Sequence, residues 1–318
     1  MGHLEGDVVA PKSTEAWKGR DSSKWIDFSN MDGLIIDGGG RIDGGGSDWW
    51  NSCKVKSCSR PAVKYICPQF FWHFFCINNL FLYVMPALSF HNCNNLQLTG
   101  TCHLNSARNH ISINNSNLTE IFNITAPKDS PNIDGIDISE SCYILIQHST
   151  IATGDDCIAI NSGASCINII GVTCGPGHVK HVHLTNYNFK GTDKGRRIKT
   201  WPGGCGYAGN ISFEHIVLIN TKNRIIIDQD YESEQKEDRK QTSEVQISGV
   251  TYRYVNGTSD GETAINLNCG GGAGAGCTDI FMDVVNITSA SSGSNVLASC
   301  NNAHGVAAST SPPVSCLS

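Results

Sequence analysis

The sequence predicts an all-β chain wound as a single parallel solenoid, and three observations carry that expectation. Charged residues make up only 16% of the 318 residues while glycine numbers 33 and asparagine is abundant. That composition suits short strands joined by tight turns better than long amphipathic helices. Short alternating apolar runs recur every 15 to 30 residues, and such alternation marks strands with one buried face. Between the runs lie no 10 to 15 residue helical patterns. An alternating βα fold is therefore disfavoured, whereas a coil of about 22 residues suits a parallel β-solenoid.

In chain order the runs are NLQLTG (95–100), HISINNS (110–116), YILIQHS (143–149), INIIGVT (167–173), HVHLTN (181–186), NISFEHI (210–216), EVQISGV (244–250) and DIFMDVV (279–285). An antiparallel sandwich is the competing arrangement of the same strands. One segment stands apart: Tyr65 to Pro86 holds five of the 11 phenylalanines. Pro68, Gln69, His73, Asn78 and Asn79 interrupt it, which speaks against a membrane span and leaves a buried core segment or an insertion at 65–85 within one domain spanning 1–318.

The formal net charge of -6 argues against a nucleic-acid partner and gives no attraction to an anionic membrane. A polyanionic substrate would need a local basic patch. Fifteen cysteines without C-x-x-C pairs point to an oxidising compartment. Six Asn-x-Ser/Thr sequons, at Asn114, Asn117, Asn123, Asn210, Asn256 and Asn286, fit secretion. The first residues, MGHLEGDVVAPKSTEAWKGRD, contain no apolar leader core, so the chain is expected to lack its signal peptide.

The polar residues fall into the solenoid period. Asp134 in SPNIDGIDIS, Asp155 in TGDDCIAI, His178 in CGPGHVKHV and Arg197 in GRRIKTW succeed one another at 21, 23 and 19 residues, with Asp156 beside Asp155 and Lys199 beside Arg197. Residues one coil apart stack about 4.8 Å along the axis, so these side chains are expected on one ladder. Singly each is ordinary: a turn aspartate, a loop histidine, a basic strand end. Their joint register is what points to a site.

Carboxylates held close together raise one another's pKa, which keeps one protonated as an acid while another serves as base. That pairing describes glycoside hydrolysis. The arginine and lysine supply the local positive charge that a sugar bearing a carboxylate needs, and the histidine can tune the acid. Asp134 with Asp137 lacks the oxygen-rich loop of a calcium site, and no metal or cofactor is expected.

The ordered stretches SPNIDGIDI, TGDDCIAI, CGPGH, RIKTWPGG and IIIDQDY resemble the successive signatures of the plant polygalacturonases, glycoside hydrolase family 28, over nearly the whole chain apart from residues 65–85. The resemblance implies a right-handed parallel β-helix that hydrolyses α-1,4-linked galacturonan (pectin) with inversion, in plant cell wall modification. By the same resemblance Asp155 is the general acid, Asp134 and Asp156 activate water, and His178 is the active-site histidine. Arg197 and Lys199 bind the substrate carboxylate, and Tyr231 contacts substrate. It further implies a Cys157–Cys174 bridge, with Cys53–Cys58, Cys269–Cys277 and Cys300–Cys316 as local pairs; the odd cysteine total leaves a thiol unpaired. A secreted, cell-wall monomer is expected, acting on polysaccharide and engaging no nucleic acid or membrane.

Three departures from the family pattern accompany the match. N-terminal coils and their helical cap are expected to be missing, residues 65–85 interrupt a turn, and most of a coil is absent after His178. The stretch VKHVHL (179–184) is expected to take the place of the lost strand. The alternative reading is a catalytically impaired β-helix that only binds pectin, or a truncated product.

Overall fold

The computed structural model describes residues 1–19, 25–50, 86–122, 125–126, 133–153, 156–161, 163–174, 183–190, 196–200, 205–221, 225–229, 244–270, 276–291 and 293–317. Every strand pairing among them is parallel, as the solenoid reading requires and a sandwich forbids.

Each coil crosses two walls. In the early coils the first wall is bent into two stacks. One holds β1 (Gly2–His3), β4 (Ile35–Asp37), β7 (Gln97–Thr99), β10 (Asn117–Phe122), β13 (Cys142–Gln147) and β16 (Ser165–Ile170). The other holds β2 (Asp7–Val9), β5 (Arg41–Asp43), β8 (Cys102–Leu104), β11 (Thr125–Ala126), β14 (Thr150–Ile151) and β17 (Thr173–Cys174). Later coils run through the bend as long strands, β18 (His183–Lys190), β20 (Cys205–Thr221), β22 (Glu244–Ser259) and β24 (Cys277–Ser289), before β26 (Ala303–Ala307) and β27 (Thr310–Ser311) divide again.

The second wall comprises β3 (Ile26–Ser29), β6 (Leu88–His91), β9 (Ile111–Asn114), β12 (Ile136–Ser139) and β15 (Ile158–Ile160), then a separate sheet of β19 (Arg196–Lys199), β21 (Ile225–Asp228), β23 (Thr263–Asn268) and β25 (Leu297–Asn301).

Isoleucine at alternate positions builds the core. Ile111, Ile136 and Ile158 stack in one column and Ile113, Ile138 and Ile160 in the next, all buried. Each buried isoleucine contributes on the order of 1.5–3 kcal/mol, and the β-branched side chain is already stiff in a strand. Aromatic rungs continue the stacking: Phe28 lies over Phe90 at 5.8 Å between ring centroids, and Phe213 over Tyr252 at 4.9 Å.

Left-handed residues turn the corners. Directly after the second wall, Asn30, Asn92, Asn115 and Glu140 occupy successive coils with φ of 56°, 53°, 48° and 48°. The Asn92 amide donates to Asn30 Oδ1 at 2.5 Å, and the Asn115 amide to Asn92 Oδ1 at 3.5 Å. Asparagine tolerates this conformation because its side chain bonds locally, which explains why many apolar runs come after Asn. Entering the first wall, the corresponding column runs Gly33, Asn95, Leu118, Tyr143, Cys166, all at positive φ. Inside the corner, Ser116 Oγ accepts from the Cys93 N–H and Ser141 Oγ from the Ser116 N–H, both at 3.0 Å, so these buried donors are satisfied.

Most coils span 22 to 40 residues, and two depart from that range, one far longer and one far shorter. Asp43 in β5 and Asn105, just past β8, are 62 residues apart in sequence yet hydrogen-bonded, so everything between β5 and β6 is one enlarged connection across which the register continues. The insertion expected at 65–85 falls in this connection, outside the described residues. No helix among the described residues is long and apolar enough to cross a membrane.

The second irregular coil corrects an expectation. His183 and Leu184, the end of VKHVHL, pair with Asn168 and Ile169 of β16, and so lie in the first wall. They do not replace the lost second-wall strand. With Asn168 meeting His183, the coil shrinks to 15 residues, and the described second wall holds no strand between β15 and β19. Eight residues separate β17 from β18, against 13 between β14 and β16.

Candidate active site

Asp134 and Asp156 share one rung. Ile136 pairs with Ile158, and two residues before each stands an aspartate. The Asp156 N–H donates to Asp134 Oδ1 at 3.0 Å, 22 residues apart in sequence, and the Gly135 N–H donates to the Asp156 carbonyl at 2.8 Å. The register thus corrects the spacing read from sequence, which paired Asp134 with Asp155. Both side chains are largely buried, Asp134 at 7% and Asp156 at 4% exposure. Asp155, the expected acid, lies outside the described residues.

Local sequence explains the closeness. A Cβ on Gly135 would stand 2.4 Å from both the Cys157 carbonyl and Ile151 Cγ2, so only glycine lets the two coils approach here. Thr153, itself buried, donates its hydroxyl to the Asp156 carbonyl at 3.4 Å. The residue after Asp156 is Cys157, bridged to Cys174 with Cα atoms 5.8 Å apart. That bridge pins the acid-bearing turn to the end of β17, from which the chain leaves toward His178, itself outside the described residues. Cys269–Cys277 and Cys300–Cys316 are also bridged; Cys53 and Cys58 lie outside the described residues, and Cys93, Cys142 and Cys166 are free thiols.

Sequence reasoning missed the rung beneath. Asn109 precedes β9 by the same two residues and is buried at 2% exposure. Its amide donates to the Ile111 carbonyl at 3.1 Å, while Oδ1 has no hydrogen-bond partner among the described residues. Beside it the His110 N–H donates to the Asp134 carbonyl at 3.0 Å. His110 and His103 are buried imidazoles; burial pushes His110 down to about 4, and burial with the neighbouring His110 pushes His103 down to about 3. Both are neutral at physiological pH. Aligning the repeated Ile-x-Ile pairs would have exposed this column.

The cationic rung lies farther along the same wall. Counting first-wall strands β14, β17 and β18, β19 comes two coils after β15, about 10 Å along the axis. Arg197 and Lys199 flank fully buried Ile198, and their side chains lie outside the described set. Lys199 is in register with Asp228 of β21, and the Thr200 N–H donates to the Asp228 carbonyl at 3.0 Å. Gln229 anchors the chain where it leaves β21: its amide donates to the Val245 carbonyl at 2.8 Å and Oε1 accepts from the Gly270 N–H at 3.0 Å. Tyr231, two residues on, lies outside the described residues.

Two buried carboxylates clasped across adjacent coils, with a basic strand two coils away, can hold a polar bond beside acid–base groups and an anionic neighbour beside cations. Residues 3–311 match the profile of the glycosyl hydrolases family 28. A probable polygalacturonase of Arabidopsis thaliana is 41% identical over 98% of this chain and 66% of its own length. A polygalacturonase of Persea americana is 32% identical over 94% of the chain and 64% of its own length. The chain thus spans about two thirds of the length of these relatives. In fold it resembles the endo-xylogalacturonan hydrolase from Aspergillus tubingensis, with a TM-score of 0.66 at 22% identity, covering 95% of this chain and 81% of that one. On its sequence match and its parallel β-helix, the chain belongs to glycosyl hydrolase family 28.

Proposed function

We propose that this chain is a polygalacturonase-type hydrolase cleaving α-1,4-galacturonan by inverting acid–base chemistry. The observation that carries the reading is the Asp134–Asp156 rung: two buried carboxylates one coil apart, the Asp156 N–H donating to the Asp134 carboxylate. In this reading Asp155 protonates the glycosidic oxygen, while Asp134 and Asp156 hold and deprotonate the attacking water. His178 tunes the acid. Arg197 and Lys199 take the carboxylate of a neighbouring galacturonate, and Tyr231 packs against the sugar. Relatives named as polygalacturonases at 41% and 32% identity support the substrate class. The three bridges among the described residues support a secreted, cell-wall location, and the chain acts as a monomer.

A second reading rests on the 15-residue coil. No second-wall strand is described between β15 and β19, so no described rung links the acids to the cations. A chain so altered would bind galacturonan without turning it over. Incubating the purified chain with polygalacturonate, while tracking reducing ends and ultraviolet absorbance of unsaturated sugars, separates the readings. Reducing ends without absorbance mark the hydrolase; binding with neither signal marks the second reading.

A further inference from the structure

The five described sequons differ sharply in how the fold treats their amides, and the difference sorts them. We propose that Asn210, Asn256 and Asn286 carry N-linked glycans, whereas Asn114 and Asn117, in the same sequence motif, do not. The proposal rests on the secreted reading above, and Asn123 lies outside the described residues.

Asn114 and Asn117 are parts of the inter-coil ladders. The Asn114 amide donates to Ser139 Oγ on the next coil at 2.8 Å. Asn117 is held from both sides: its amide donates to Asn94 Oδ1 at 3.1 Å and its Oδ1 accepts from Cys142 Sγ at 2.7 Å. The hydroxyl residues that complete these two motifs, Ser116 and Thr119, are fully buried. A sugar on either amide would have to occupy the gap of about 4.8 Å between adjacent strands. Asn114 also ends β9, so a glycan there would crowd the wall that carries Asp134 and Asp156.

The other three amides are open. Asn210, Asn256 and Asn286 are exposed, and none makes a side-chain hydrogen bond to another described residue. Their hydroxyl residues, Ser212, Thr258 and Thr288, all retain solvent access. Asn210 sits at φ 54° with Gly249 as its rung neighbour on β22, so no side chain stands over it from that strand. Asn256 and Asn286 are in register on β22 and β24. All three lie on the first wall, away from the strands that carry the acids.

In the transfer, the asparagine amide nitrogen bonds to the anomeric carbon of a lipid diphosphate-linked oligosaccharide. The bond from that carbon to the diphosphate oxygen breaks, the lipid diphosphate leaves, and the amide proton passes to solvent. Addition precedes folding, so a glycan at Asn114 or Asn117 would stop the coils from closing. Only chains free of sugar there reach the folded state.

The test fuses the full chain to a secretory leader, expresses it in plant cells and collects the disulfide-bonded, protease-resistant fraction. Enzymatic glycan release in ¹⁸O-water converts each glycosylated asparagine to labelled aspartate, read by peptide mass spectrometry. Label at Asn210, Asn256 and Asn286, with none at Asn114 and Asn117, is the expected map. Label at Asn114 or Asn117 in that fraction, or no label at the three open sites, overturns the proposal. N256Q and N286Q should each remove one glycan step on a gel, and N114Q none. Because the leader is supplied, this map stands or falls independently of hydrolase activity, which the reducing-end assay reads.

Discussion

Asp156 donates its backbone N–H to the Asp134 carboxylate at 3.0 Å, and Gly135 returns an N–H to the Asp156 carbonyl at 2.8 Å. The two acids are therefore positioned by the sheet ladder itself. Any change that moves one coil against the other moves both groups, and misplacements of about 1 Å can cost on the order of 100-fold in rate.

Gly135 is the most direct lever on that clasp. In Gly135→Ala the new methyl meets the Cys157 carbonyl and Ile151 Cγ2, each at 2.4 Å. Relief requires backbone movement, at about 1–3 kcal/mol. The urea midpoint should fall, and kcat should fall more than the change in KM accounts for. An unchanged midpoint would mean that the coils have slack here.

The Cys157–Cys174 bridge closes a loop of 17 residues. By chain entropy such a loop is worth about 3 kcal/mol. Cys157→Ser with Cys174→Ser should lower the calorimetric Tm and loosen the acid-bearing turn. The comparison with Cys300→Ser, Cys316→Ser, a bridge of 16 residues far from the site, separates the two effects: both pairs should lose stability, and only the first should lose kcat.

Acid should destabilise the fold through His103 and His110. Their folded values, about 3 and about 4, lie below the ordinary 6.5, so the unfolded chain binds protons that the folded chain refuses. The stability they permit is complete above about pH 6.5 and is lost as pH falls from there toward 4 and then 3. His110→Gln should flatten the decline in denaturation midpoint between pH 6.5 and 4. An equally steep decline would place the acid sensitivity elsewhere.

The isoleucine columns should behave as one close-packed core. Ile138, fully buried, lies between Ile113 and Ile160. Ile138→Ala should cost about 2–5 kcal/mol and Ile138→Val about 0.5–1.5 kcal/mol, read from chemical denaturation.

The parts of this fold that repeat were open to reading from the sequence. Ile136–Ile138 and Ile158–Ile160 alternate in register, so both strands emerge from counting, whereas the step counted from Asp134 to Asp155 misses the Asp134–Asp156 rung by one residue. The placement of His183 and Leu184 in the first wall was not open, because alternation marks a strand without saying which wall receives it. Nor was the burial of His103 and His110. Histidine in an alternating run reads as outward-facing, yet His103 takes the buried middle position of β8 and His110 is buried just before β9. Leu118 and Tyr143 at positive φ were equally hidden, since side chains of their kind rarely adopt it; the neighbouring coils impose it through register.

The most direct measurement is the rate of reducing-end release from polygalacturonate by the unaltered chain and by Asp134→Asn and Asp156→Asn. Measurable release by the unaltered chain is expected, with a loss of at least about 100-fold in kcat for each variant, while galacturonan affinity and denaturation midpoint are retained. Release that survives both substitutions undiminished, or its absence from an unaltered chain that binds galacturonan, would contradict the assignment.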